Sequence, residues 1–153
     1  MFGTKTFTRS ALLAVSLTLA ATAQSGSTPA PSTSFGIAVR QVPSSTPTFA
    51  PAARLQVNIS IGHRGPEPLE LEFASGQLYD IVLYNDRGER IYVWSADKIF
   101  PAVFIRERLR ERRIYTEDLP IPLPAGRYVV EAFLTTNGAQ LYRTTMPVEI
   151  KFR

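Results

Sequence analysis

Ser95 and Lys98 stand in the stretch VWSADKIF with the spacing S-x-x-K. On a helix that spacing sets a hydroxyl one turn from an amine, and penicillin-binding serine enzymes use it to pair an acylating serine with a lysine base. The chemistry needs the helix, yet Ser95 follows the strand-like run IYVW. The partner signature K-T-G is absent from the chain as well. Ser95 therefore reads as a strand-end residue whose hydroxyl bonds nearby backbone, with Asp97 as a turn former.

Other catalytic sets fail by count or by context. His63 is the single histidine, so no two-histidine metal site can form, and its surroundings, GHRGPEP, describe a turn. There is no cysteine, which removes thiol nucleophiles, zinc-thiolate sites, disulfides and an acylated lipoprotein terminus. Asp80, Asp86 and Asp97 lack the spacing of a calcium loop. No G-x-S-x-G elbow marks a nucleophile. The sequon at Asn58 falls in the middle of an alternating run, a poor place for a glycan. The expectation is a protein that is no enzyme and holds no metal or cofactor.

The elements that carry these residues divide the chain into three parts. Residues 1–23 hold Lys5 and Arg9, an apolar run from Ala11 to Ala20, and the small-x-small triplet Ala21-Thr22-Ala23. That order matches a cleaved signal peptide, and the run is shorter than the ~20 residues of a membrane helix. The expectation is export, with no membrane span after cleavage. Loss of Lys5 and Arg9 lowers the formal charge from +4 to +2, too little to argue for nucleic acid. Residues 24–53 are rich in Ser, Thr, Pro and Ala and read as a spacer. Within it, residues 35–42 (FGIAVRQV) could form a short edge strand.

From residue 54 the pattern is that of β-structure. Leu55, Val57, Ile59 and Ile61 alternate with polar residues, as do Leu69, Leu71 and Phe73. YDIVLY and IYVW are apolar on nearly both faces, so either both faces are covered or an apolar patch awaits a partner. Gly88 supplies the positive φ for the hairpin between them, and Asn137-Gly138 marks another. FIRERLRERR fits a charged edge strand, which guards a sheet against unwanted pairing. The reading is an all-β protein, an immunoglobulin-like antiparallel β-sandwich of about seven to eight strands over residues 54–153. Tyr128, two residues before Val130, fits a tyrosine corner tied to backbone near Pro124. Leu119, Pro120, Ile121, Pro122, Leu123 and Pro124 read as a stiff extended loop and a candidate partner-binding element.

The stretch PLELEFASGQLYDIVLYNDRGERIYVWSADKIF carries a resemblance beyond fold class. Phe73, Ser75, Gly76, Gln77, Tyr79 and Asp80, then Asp86, Gly88, Trp94, Ser95, Asp97 and Phe100, stand as they do in the intracellular proteinase inhibitor (BsuPI) family. Gly126 and Tyr128 of AGRYVV match it too. The resemblance implies a β-sandwich that binds a protein partner and inhibits a proteinase of the serine class. Physically, Ser75, Gly76 and Gln77 read as a turn, Asp80 as a local amide acceptor, and Trp94 and Phe100 as core between sheets or as binding aromatics. The alternative function is a structural or adhesive module of the cell envelope.

Overall fold

The computed structural model describes residues 30–43, 51–138 and 142–152. Nine strands fill them: β1 (Ser32–Pro43), β2 (Ala53–Arg64), β3 (Leu69–Phe73), β4 (Tyr79–Asn85), β5 (Arg90–Val93), β6 (Ile105–Leu109), β7 (Arg113–Leu123), β8 (Gly126–Leu134) and β9 (Arg143–Ile150). No helix occurs among the described residues. All pairings are antiparallel. One sheet runs β1-β2-β7, a second β5-β4-β8-β9, and β3 with β6 forms a two-stranded ribbon. The expected all-β sandwich is present: β2 to β9 are the eight strands of the region read as the sandwich, and β1 is the additional edge strand.

Period-two alternation explains the packing. Leu55, Val57 and Ile59 point from β2 into a core shared with Ile81 and Leu83 of β4, Val130 and Ala132 of β8, and Leu119 and Leu123 of β7. A second cluster joins Ile61 to Leu71, Phe73, Leu109, Leu134 and Tyr142, so the ribbon covers one end of the sandwich. Ile81, Val82 and Leu83 are all buried, which settles the double-faced run in β4 as covered on both sides.

Two boundaries differ from the sequence reading. The short edge strand expected at 35–42 is twelve residues long and pairs with β2 from Ser32 opposite Arg64 to Pro43 opposite Ala53. Phe35, Ile37 and Val39 pack on the core, so the spacer expected over 24–53 contains a full strand and the domain reaches back to Ser32. Residues 1–29, read as leader and first spacer, lie outside the described residues.

The second difference concerns Leu119, Pro120, Ile121, Pro122, Leu123 and Pro124. Residues 119–123 are not a loop but the last part of β7, with only Pro124 beyond its end. Leu119 lies opposite Leu55 and Leu123 opposite Ala53, with a bulge between them. Leu119 and Leu123 are buried, while Pro120 and Pro122 face outward. Proline lacks the N–H that an inner strand must donate, and β7 is the outermost strand of its sheet, where that loss is tolerated. As a candidate binding loop this segment is therefore withdrawn.

Candidate functional site

Asp80 is the second residue of β4, and it is buried. Its Oδ1 accepts from the backbone N–H groups of Ile81 (2.8 Å) and Ser95 (3.2 Å), and its Oδ2 accepts from the Ser95 hydroxyl (2.5 Å). A buried carboxylate is costly unless donors surround it, and these three meet that need. The same bonds tie the end of β5 to the start of β4. Ser95 thus spends its proton on Asp80, and a serine alkoxide there would face a carboxylate at hydrogen-bond distance. Lys98 does not serve it: the ammonium lies 4.6 Å from the centre of the Trp94 ring and 3.7 Å from Asp97. The S-x-x-K spacing falls on a turn, closed by Lys98 N–H donating to the Ser95 carbonyl (3.1 Å).

Trp94 is 8% exposed and forms the middle of an aromatic stack. Its ring lies 4.7 Å from Tyr79 and 5.7 Å from Phe100, and Tyr79 lies 4.8 Å from Tyr115. Glu117, on the inward face of β7, accepts from the Tyr79 hydroxyl (2.5 Å) on one oxygen and from Trp94 Nε1 (2.9 Å) on the other. One carboxylate therefore links β7 of the first sheet to β4 and β5 of the second. Burial, followed by the bond to Glu117, pushes the Tyr79 phenol well above its usual range. It stays a neutral donor.

The turn before β4 is built by contact rather than charge. Ser75 Oγ accepts from Gln77 N–H (3.2 Å), and Gly76 N–H donates to the Pro101 carbonyl (2.9 Å). A Cβ on Gly76 would sit 2.6 Å from Pro101 Cδ, so only glycine admits this approach. Gln77 donates to the Tyr79 carbonyl, and its own carbonyl accepts from Thr135. Phe73 is fully buried in the second cluster. In the β4–β5 hairpin Gly88 has φ 76°, as the sequence requires. Asp86 there is exposed, and the turn is held by Asn85, whose Oδ1 accepts from Arg87 and Glu89. Tyr128 donates to the Pro124 carbonyl (3.1 Å) beside Gly126. Asp97 is exposed.

Of the twelve motif residues from Phe73 to Phe100, Phe73 belongs to the second core cluster, Asp86 and Gly88 to the separate hairpin tip, and the other nine to the turns and packing around Trp94 and Asp80. Sequence reasoning missed Glu117, Pro101 and Asn85. Glu117 was available from period alone, since it alternates with Tyr115 and Leu119 on the face that β7 turns inward. His63 bonds Thr33 through Nδ1 (3.0 Å) and the Glu67 carbonyl through Nε2 (3.1 Å), a structural use of both nitrogens. Among the described residues no group of three acidic, histidine or cysteine side chains could hold a metal. A concavity of about 1010 Å³ forms an open depression over β4, β8 and β9.

Above the Trp94 cluster the chain leaves the sheets. Residues 96–104, between β5 and β6, contain no strand. Ile99 is 99% exposed, Val103 46% and Phe104 56%.

A family model described as intracellular proteinase inhibitor matches residues 44–139, more than half of the chain. The chain belongs to the intracellular proteinase inhibitor family. No curated protein matches the chain. Among solved structures it is similar to a Bordetella pertussis protein described as ApaA, with 13% identity, a TM-score of 0.43, and cover of 77% of this chain and 89% of that one. A Northeast Structural Genomics Consortium target shows 9% identity, a TM-score of 0.40, and cover of 76% and 83%. The expectation of export is corrected by the family match, because the family is described as intracellular. The envelope module falls with it. No helix among the described residues is long and apolar enough to cross a membrane.

Proposed function

We propose that this protein inhibits a serine proteinase by binding it, with no catalysis of its own. The family match over residues 44–139 carries the reading. The geometry agrees with it: the one serine that resembled a nucleophile is consumed as a donor to Asp80, and its lysine packs on Trp94. What the cluster does instead is hold an irregular apolar loop on a rigid base. A rigid loop already in its bound shape loses little entropy on docking, which is the main requirement for a tight proteinase inhibitor.

The test is a titration of the purified protein against serine, cysteine, aspartic and metallo-proteinases, each with a chromogenic peptide. Stoichiometric inhibition confined to serine enzymes, with the inhibitor recovered intact, is the expected result. Inhibition confined to another class would replace the serine assignment, and full activity of every enzyme would overturn the reading.

A further inference from the structure

Lone exposed apolar residues are common on soluble proteins and need no partner. Ile99 differs in how its neighbours are placed. Lys98 folds back over the Trp94 ring, and Phe100 packs against the same ring from the other side of Ile99 in sequence. Ile99 between them is 99% exposed. Lys98 stays exposed while its ammonium lies over the ring and Phe100 turns inward, so between them the chain projects one β-branched aliphatic side chain from a braced backbone. The bracing continues on both flanks. Ala96 N–H bonds the Val93 carbonyl and Lys98 N–H the Ser95 carbonyl, while Pro101 accepts from Gly76 and from Val103. Val103 and Phe104 add exposed apolar surface on the same loop.

We infer that residues 96–104 are the proteinase-contacting loop and that Ile99 enters the enzyme's primary specificity pocket. The inference rests on the inhibitor reading above and assigns it a site. A projecting aliphatic side chain whose two neighbours are both held on the Trp94 ring suits a deep narrow pocket. A flat partner would meet a broad patch instead. The pocket must be apolar and must accept a β-branched aliphatic, which points to a proteinase of elastase-type preference. Burying the isoleucine side chain in it supplies apolar area that the free protein leaves in water. The loop binds as an uncleaved substrate would, and no bond is made or broken. In the free protein nothing rests on Ile99, so its replacement leaves the fold untouched.

Ile99→Asp and Ile99→Arg test this against elastase-type, chymotrypsin-type and trypsin-type serine proteinases, with melting curves as a fold control. The native protein should inhibit the elastase type. Ile99→Asp should weaken that inhibition on the order of 100-fold, as loss of a central anchor does. Ile99→Arg should transfer inhibition to the trypsin type, whose pocket carries a carboxylate. Such a gain cannot arise from damage to the fold. If the native protein inhibits and Ile99→Asp is equally potent, the contact lies elsewhere and the inference falls while the inhibitor reading stands. If neither the native protein nor Ile99→Arg inhibits any of these three types, the inference falls, and the titration across all proteinase classes decides whether the inhibitor reading falls with it. A dimer that Ile99→Asp abolishes in sedimentation would assign the loop to self-association and overturn the inference.

Discussion

Residues 119–124 (LPIPLP) and 99–104 (IFPAVF) are equal in length, and both set proline among large apolar side chains. One is woven into a sheet, and the other lies outside the sheets with Ile99, Val103 and Phe104 in solvent. Spacing decides between them. In the first stretch Leu119, Ile121 and Leu123 fall two apart, so all three turn toward the core while Pro120 and Pro122 turn away from it. In the second, Ile99 and Phe100 are adjacent, and an extended chain cannot turn both inward. Pro101 then breaks any register with its carbonyl held by Gly76. Proline content alone reads both stretches as loops; proline phase distinguishes them.

The largest expected effect tests the base on which the loop rests. Trp94→Ala should cost about 3–5 kcal/mol in denaturant unfolding, because it opens a core cavity and removes a donor from Glu117. A fold of ordinary stability would show it as a large shift in midpoint. Next comes the direct comparison. Leu119→Ala should cost about 2–5 kcal/mol, whereas Ile99→Ala should stay within about 0.5 kcal/mol of the native protein. Equal costs at the two positions would mean that the loop is packed and would remove the contrast. Gly76→Ala should be intermediate, about 1–3 kcal/mol, as overpacking against Pro101 usually is. Because that contact braces the loop, the same variant should lose inhibition as well as stability.

The smallest effect concerns alkaline pH. Burial raises the pKa of Tyr79, Tyr92, Tyr115, Tyr128 and Tyr142 in the fold. In the unfolded chain these phenols lose their protons near pH ~10. Above that point the unfolded state binds fewer protons than the native state, so unfolding becomes easier as pH rises. Stability should be flat in this respect below about pH 10 and fall above it. Tyr79→Phe should flatten that fall, measured as denaturant midpoint against pH. An unchanged slope would show that Tyr79 ionises in the fold as readily as in the unfolded chain.

Local alternation made most strands legible, since an apolar face repeats within five to ten residues. Leu55 to Ile61, Leu69 to Phe73 and the run from Arg127 to Leu134 lie in strands where their pattern placed them. The extent of β1 was harder to see because Ser, Thr and Pro surround its three inward residues, and only pairing with β2 extends the strand to Ser32 and Pro43. Much of the candidate site was not visible for a different reason. Glu117 reaches Tyr79 and Trp94 across gaps of 38 and 23 residues, and Pro101 meets Gly76 only after the sheets assemble. Contacts of that kind follow from topology, which no local period reports. The loop at 96–104 was hidden in the same way, because the exposure of Ile99 depends on what Trp94 collects around itself.

Trp94 is the single tryptophan of the chain, and it lies directly beneath that loop. All indole emission of the protein therefore comes from one point, between the Lys98 ammonium and the Glu117 carboxylate. Indole emission responds to nearby charge and to water, so displacement of Lys98 or of Phe100 would change its colour and yield. The molecule carries its own optical reporter where a partner would press. Docking at the loop and unfolding of the sandwich can both be followed through it without a label.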